Sequence, residues 1–314
     1  MPRVRCIGAG SDGDNRRFVP GVNRMNEQLF ARLADWVARE PVVLASVLAT
    51  RGATPRKAGA RMLISTNAAA FSVGGGLAEA RVMTAARELL AAGGQVAEVQ
   101  IDLTGGAGSV GICGGRMQLV LRRWHGAADA ERALTIATML AAGLEVELHA
   151  GDVGSANGAM TVCPDPRLLI VGGGHCGLAL CQLARTLDFE LWVYDPRPEH
   201  ADPALYPGVR TLTGDFDNLR AALSTRRALY VVLLNRDYAS DVATLRVLAG
   251  STFAFLGMMG SRKRIDQVLA ALETDQAQQL AALQAPVGLP IGAQTPEEIA
   301  VSVLAHLIQV RSQL

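Results

Sequence analysis

The sequence predicts a two-part α/β protein, a small mixed α/β N-terminal domain followed by a Rossmann-like doubly wound parallel-sheet domain. Three observations carry this expectation. The 314 residues exceed the roughly 100–200 of a typical single domain. The segment Cys163-Pro164-Asp165-Pro166 disfavours both helix and central strand and so divides the pattern. Beyond it, strand and helix signals alternate strictly, as parallel sheets require.

Residues 1–25 are rich in Gly, Asp, Asn and Arg, have no apolar period and read as a flexible tail ahead of the first patterned segment. With Asn26 as N-cap, Leu29, Leu33, Trp36 and Val37 share one helical face, and Pro41 stops that helix. Val42 to Ala49 is a continuous apolar run of the buried-strand kind. Arg61–Ser65, Val96–Ile101 and Met117–Leu121 read as further strands. Between them Leu77–Ala92 is a helix entered through Gly74-Gly75-Gly76 and closed by Gly93-Gly94. A helix from Ala128 to Ala142 and an extended stretch, Glu145–His149, complete a first domain over 26–163. The second, 167–314, reads as strand 167–171, helix 175–187, strands 190–194 and 209–212, helix 216–223, strand 228–233, helix 240–249, strand 253–256 and helix 261–272. A last helix, Pro296 to Arg311, opens on Thr295 with Glu298 three residues on, a capping box.

Composition narrows the functional classes. Half the residues are hydrophobic and 19% are charged, with 30 basic against 29 acidic side chains and a net charge of +1. Such a balance supplies no field for steering to nucleic acid. The five cysteines, at 6, 113, 163, 176 and 181, form no Cys-x-x-Cys pair, which argues against a disulfide framework or zinc site. No apolar stretch reaches the roughly 18 residues of a membrane span and no signal peptide is legible, so the expected location is the cytoplasm.

The sharpest motif is Gly172-Gly173-Gly174-His175-Cys176-Gly177, which follows the apolar strand Leu168–Val171 and opens a helix. Glycines at 172, 174 and 177 allow a tight turn, close approach of backbone N–H groups to a phosphate, and close packing of helix on strand. The helix N-terminus adds partial positive charge. Asp195, 18 residues after Gly177, ends the second strand where a carboxylate commonly meets a ribose hydroxyl. His175 is aimed at any bound ligand. Cys176 is open to two readings, a thiol activated by the helix N-terminus or a small apolar filler. On the same rim Gly260-Ser261-Arg262-Lys263-Arg264 reads either as a second anion site or as a solvated basic helix start, and Leu234-Asn235-Arg236-Asp237 lies beside it.

In the first domain, Thr54-Pro55-Arg56-Lys57-Ala58-Gly59-Ala60-Arg61, Ser72 to Glu79 and Gly111-Ile112-Cys113-Gly114-Gly115 each couple permissive glycines to polar or reactive side chains. Cys113 is their one thiol, either a buried inert residue or a donor to a soft metal.

These segments, in this order, resemble the XdhC/CoxI family of molybdenum-cofactor accessory proteins. The likeness continues through Ile170–His175, Tyr194–Arg197, Phe255–Arg262 and Gly288–Ala300, and runs from about residue 40 to the end. It implies a chaperone more than an enzyme. Such a protein binds molybdenum cofactor, as molybdopterin or its cytosine dinucleotide, protects it while an oxo ligand is exchanged for sulfur, and delivers it to a molybdenum hydroxylase apoenzyme such as a xanthine dehydrogenase or aldehyde oxidoreductase. A cysteine desulfurase and a cofactor nucleotidyltransferase are further candidate partners, and a homodimer is the default assembly. The family cysteine falls on Cys113, the candidate metal ligand, beside Gly114 and Gly115. Ile112 replaces the first of two adjacent cysteines found in some members, and Gly74–Glu79 departs from the typical xanthine dehydrogenase partner, which together incline the likeness to the CoxI-like branch. Asn235-Arg236 stands where many members carry Thr-His. The expected arrangement has Arg56 and Arg61 binding phosphate or pterin oxygens and the Gly172 turn or the Gly260–Arg264 loop holding the cofactor's phosphate. The alternative is an NAD(P)-dependent oxidoreductase using the same turn and Asp195. No His–Asp or Tyr–Lys pair stands out as its proton donor.

Overall fold

The structure, a computed structural model, describes residues 26–106, 109–111, 114–155 and 160–312. The chain divides between Pro164 and Asp165 into two compact units.

The first unit is built from α1 (Asn26–Val37), β1 (Val42–Arg51), β2 (Arg61–Ile64), β3 (Ala69–Phe71), α2 (Gly76–Ala91), β4 (Val96–Asp102), β5 (Arg116–Trp124), α3 (Gly126–Ala141), β6 (Val146–Leu148), α4 (Ala150–Val153) and β7 (Met160–Val162). Strands β1 to β5 make an antiparallel sheet in the order β3-β2-β1-β5-β4. Helices cover both faces, which is why β1 reads as an unbroken apolar run rather than an alternating one. Val42 and Leu44 pack with α1 and α3, whereas Val43, Ala45 and Val47 pack with α2. Burying side chains such as Phe30 and Leu33, both fully inaccessible, contributes roughly 1.5–3 kcal/mol each.

Asn26 corrects the expectation of a cap. It is the first residue of α1, and its side-chain amide is engaged elsewhere: Nδ2 donates to the Cys163 carbonyl at 3.0 Å and Oδ1 accepts from Arg61 at 3.3 Å. β3, α4 and β7 are too short, at three or four residues, for periodicity to register them.

The second unit contains β8 (Arg167–Val171), α5 (His175–Ala184), β9 (Glu190–Tyr194), β10 (Arg210–Leu212), α6 (Phe216–Leu223), β11 (Leu229–Leu233), α7 (Tyr238–Leu248), β12 (Phe255–Met258), α8 (Arg262–Ala270), α9 (Thr274–Gln279) and α10 (Pro296–Arg311). Its five-stranded sheet is parallel throughout, in the order β10-β9-β8-β11-β12. α5 and α10 bury one face and α6, α7 and α8 the other, the doubly wound arrangement predicted. The strand order reverses between β8 and β11, so a topological switch point lies at their C-terminal ends, at Gly172 and Leu234.

Several boundaries move for local reasons. Asp237 and Ser261 cap α7 and α8 by accepting from Ser240 and Arg264 amides. The last strand lies at 255–258 because Phe255 pairs with Tyr230. Gln284–Val287 then runs beside β12, with Gln284 N donating to Leu256 O at 2.8 Å and Val287 N to Met258 O at 2.9 Å, so this sheet edge is not left bare. At the opposite end of the strands, the Arg167 guanidinium lies 3.7 Å and that of Arg210 4.3 Å from the Trp192 ring centroid, and Glu190 bonds both Arg167 and Arg227. Among the described residues no helix is long and apolar enough to cross a membrane.

Candidate functional site

In the first unit the sheet register gathers the expected loops. Arg51 pairs with Arg116 and Asp102 pairs with Arg116, so the loops leaving β1 and β4 and the one entering β5 share one edge. Gly115 shows how close they come: a Cβ there would lie 2.2 Å from Ala53 O and 2.7 Å from Arg51 O, distances that no real side chain tolerates. Across the same rim a Cβ on Gly74 would lie 2.6 Å from the Pro55 ring. The segments around residues 52–57 and 72–79 and the backbone at 114–115 are therefore one surface.

Side chains and backbone fix this surface from behind. Glu79 reaches back to accept from Ser72 Oγ at 2.7 Å and Gly75 N at 3.0 Å. Ser109 Oγ donates to Asp102 O at 2.9 Å and accepts from Gly105 N at 3.1 Å. Gly114 N donates to Leu103 O, and Leu103 N to Gly115 O, both at 2.8 Å. Cys113 and Ile112 lie outside the described residues; the backbone on either side of them is held by these bonds. A Cβ on Gly114 would meet nothing within 4 Å, so the rim is open there. Arg56 and Lys57 are exposed on it. Arg61 is not on it. It is 4% exposed, donates to Asn26, lies with its guanidinium 5.9 Å from the Phe30 ring and has its pKa pushed down from 12.5 to about 10 by burial. The expectation that Arg61 meets a ligand gives way to an interior role, because β2 carries it into the core.

Among the described residues no group of three or more His, Cys, Asp or Glu is assembled as a metal cage.

In the second unit the turn requires glycine at two of its positions for steric reasons. Gly172 takes φ +108°, and a Cβ on Gly177 would lie 2.0 Å from Gly172 O, so only glycine lets α5 start this close to β8. A Cβ on Gly174, by contrast, would meet nothing within 4 Å. The backbone at Gly174 is therefore open on that side.

Asp195 is 1% exposed. It accepts from Gly173 N at 2.9 Å, from Arg197 N at 3.0 Å and from the Arg197 guanidinium at 2.9 Å. Arg197 and these backbone donors hold its carboxyl below the usual carboxylate range against the opposing effect of burial. The carboxylate expected at a ribose is thus turned inward, bracing the turn. His175, at the start of α5, is exposed and its Nδ1 lies 2.9 Å from Arg236 Nη2, so Arg236 brings a guanidinium to the mouth of the turn from the β11–α7 loop.

The basic segment after β12 also changes meaning. Arg264 bonds buried Asp241 through Nε at 2.9 Å and donates to the carbonyls of Arg236 and Asn235 at 3.0 and 2.8 Å. It braces the neighbouring loop instead of waiting for an anion. Ser261 Oγ is the α8 cap, and of the three cations that follow only Arg262 and Lys263 are exposed. Cys176 loses its activated reading, because burial pushes its thiol up; burial likewise takes Cys181 up to about 11. The motif Gly288–Ala300 is tied to α10: Ser302 Oγ donates to Leu289 O at 2.7 Å and Gly288 N donates to His306 Nδ1 at 3.2 Å.

Sequence reasoning missed Tyr206, which is 2% exposed and donates from its hydroxyl to Gly173 O at 2.8 Å. Nothing in Pro203–Gly208 announces this, since the contact spans more than thirty residues.

Comparison with known proteins agrees with this architecture. The profile described as "XdhC Rossmann domain" matches residues 168–307 and that of the "XdhC and CoxI family" residues 36–102. The uncharacterized protein YqeB of Escherichia coli is 29% identical over 282 residues, covering 87% of this chain and 44% of YqeB. A protein of Bacillus subtilis described as a probable xanthine dehydrogenase component is 30% identical over 152 residues, covering 48% of this chain and 44% of that protein. The chain thus spans less than half the length of these relatives. A crystal structure of a xanthine dehydrogenase from Bacillus halodurans superposes with a TM-score of 0.76 at 23% identity, covering 91% of this chain and 95% of that one, a likeness of fold.

Proposed function

Because the chain belongs to the XdhC and CoxI family, we propose that it is a maturation factor that binds molybdenum cofactor, shelters it during sulfuration and hands it to a molybdenum hydroxylase apoenzyme. The observation that carries this reading is the convergence of the 52–57 and 72–79 segments with Gly114 and Gly115 on one rim, with Gly115 packed against Ala53 and open space over Gly114. The residues fit such a cofactor. Closely packed backbone gives a rigid surface, the open glycine admits a flat ligand, Cys113 is a soft donor, and exposed Arg56 is a partner for oxyanions. When bound, the cofactor supplies a metal whose terminal ligand is exchangeable.

The chain's own part is to hold and exclude. Glu79 and Ser109 fix the loops so that the rim does not reorganise on binding. In the second unit, the Gly172–Gly177 turn offers N–H groups to a phosphate, with Arg236 and His175 at its mouth. Its ligand is a phosphate-bearing nucleotide, either the cofactor's own nucleotide form or NAD(P). The test is what accompanies the protein purified from molybdate-fed cells. Molybdenum by elemental analysis and fluorescent oxidised pterin, both reduced in Cys113→Ala, are expected. Bound NAD(P) with hydride transfer and no pterin would instead establish an oxidoreductase.

A further inference from the structure

The residue Gly173 is gripped at both ends. Its N–H donates to Asp195 Oδ2 at 2.9 Å and its carbonyl accepts from Tyr206 Oη at 2.8 Å. Both partners are interior, 1% and 2% exposed. There is no room to relax around them, since a Cβ on Gly173 would lie 1.9 Å from His200 O.

This grip has a geometric consequence. In a trans peptide the C=O and the following N–H point in opposite directions. With the Gly173 carbonyl drawn inward to Tyr206, the Gly174 N–H is directed away from that interior hydroxyl, and a Cβ on Gly174 would meet nothing within 4 Å. Among the described residues no backbone acceptor is paired with that N–H. A Gly-Gly peptide left alone would flip readily, because neither residue resists positive φ. We propose that Tyr206 and Asp195 are positioning residues that lock the Gly173–Gly174 peptide so that Gly174 N–H is preset to bind a phosphate oxygen of a nucleotide diphosphate.

The lock explains two features together. Asp195 carries its charge at the end of β9 yet faces away from solvent, because its function is to hold Gly173 rather than to meet a ribose. Tyr206 keeps its proton at any physiological pH, burial having raised its pKa to about 12, so it remains a donor to the carbonyl throughout.

This rests on the turn being a phosphate cradle, and the experiment separates the two ideas. The full-length protein is titrated calorimetrically with NAD+, NADP+ and inorganic pyrophosphate, and the Gly174 amide resonance is followed by NMR in parallel. The unaltered protein binds at least one of these probes and its Gly174 amide shifts on addition. Tyr206→Phe, which removes one oxygen and keeps the ring, weakens that binding about tenfold and abolishes most of the Gly174 shift, while its melting temperature shows it still folded. Asp195→Asn, which keeps the shape and loses the charge, weakens it about fivefold. If Tyr206→Phe and Asp195→Asn bind the probes as the unaltered protein does, the lock is wrong and the cradle stands. If the unaltered protein binds none of the probes, the cradle itself is wrong and the lock falls with it.

Discussion

Replacing Gly115 with alanine puts the architecture of the N-terminal rim to a quantitative test. The added methyl carbon would sit 2.2 Å from Ala53 O, 2.7 Å from Arg51 O and 2.8 Å from the Ala53 carbonyl carbon. Ordinary contacts begin near 3.4 Å, so the backbone after β1 must retreat by on the order of 1 Å, a change comparable with overpacking, which costs roughly 1–3 kcal/mol. No φ penalty adds to this, because Gly115 is not among the positive-φ glycines. For a unit of this size the cost corresponds to a melting-temperature loss of about 2–12 °C. The same displacement moves the Gly52–Lys57 segment away from the backbone that flanks Cys113, so retained molybdenum falls several-fold. Gly106→Ala is the control, since a Cβ there meets nothing within 4 Å and its φ is unstrained. Differential scanning calorimetry with metal analysis reads both quantities. Unchanged stability and metal content in Gly115→Ala would refute the packed rim.

Other expectations follow from the second unit. Gly177→Ala, with its Cβ 2.0 Å from Gly172 O, destabilises by about 1–3 kcal/mol; Gly174→Ala, with open space around it, leaves urea unfolding unchanged but weakens nucleotide binding. Glu190→Gln removes the shared counter-charge of Arg167 and Arg227, which are 8% and 3% exposed at the side chain. With Glu190 itself 30% exposed the loss is discounted to about 1–3 kcal/mol, short of the full effect of breaking a buried pair; a double-mutant cycle with Arg227→Met checks it. His306 receives the Gly288 amide on Nδ1, and burial holds its pKa below the ordinary 6.5. The unfolded chain therefore takes up this proton first on acidification. Its contribution is complete above about pH 6.5 and is lost as pH falls through the folded value. Denaturation midpoints measured from pH 8 to pH 5 should decline less in His306→Gln, and an equal decline would contradict this.

The legible and illegible features differ in physical range. β8, the glycine turn and α5 are local, with five consecutive buried residues in Arg167–Val171 and glycines at fixed spacing, so sequence carried the doubly wound fold and the turn. The Thr295–Glu298 capping box was likewise legible, since both of its bonds close within four residues. Arg61 reads as a ligand group, and Arg264 as part of either an anion site or a solvated helix start, because charge alone gives no direction; Asn26 lies 35 residues from Arg61, and Asp241 lies 23 from Arg264. Asp195 was found by spacing, but its inward orientation depends on Gly173 and Arg197 together. Convergence of the N-terminal loops needed the β1–β5 register, which no local pattern encodes.

The most direct measurement of the central claim is transfer. Protein loaded with cofactor is mixed with a molybdenum-free hydroxylase apoenzyme, the two are separated, and molybdenum is quantified in each. Movement of the metal to the apoenzyme with gain of its activity is the predicted result, with Cys113→Ala delivering little. Metal that stays behind, or delivery that is equal with and without this chain, would contradict the proposed role.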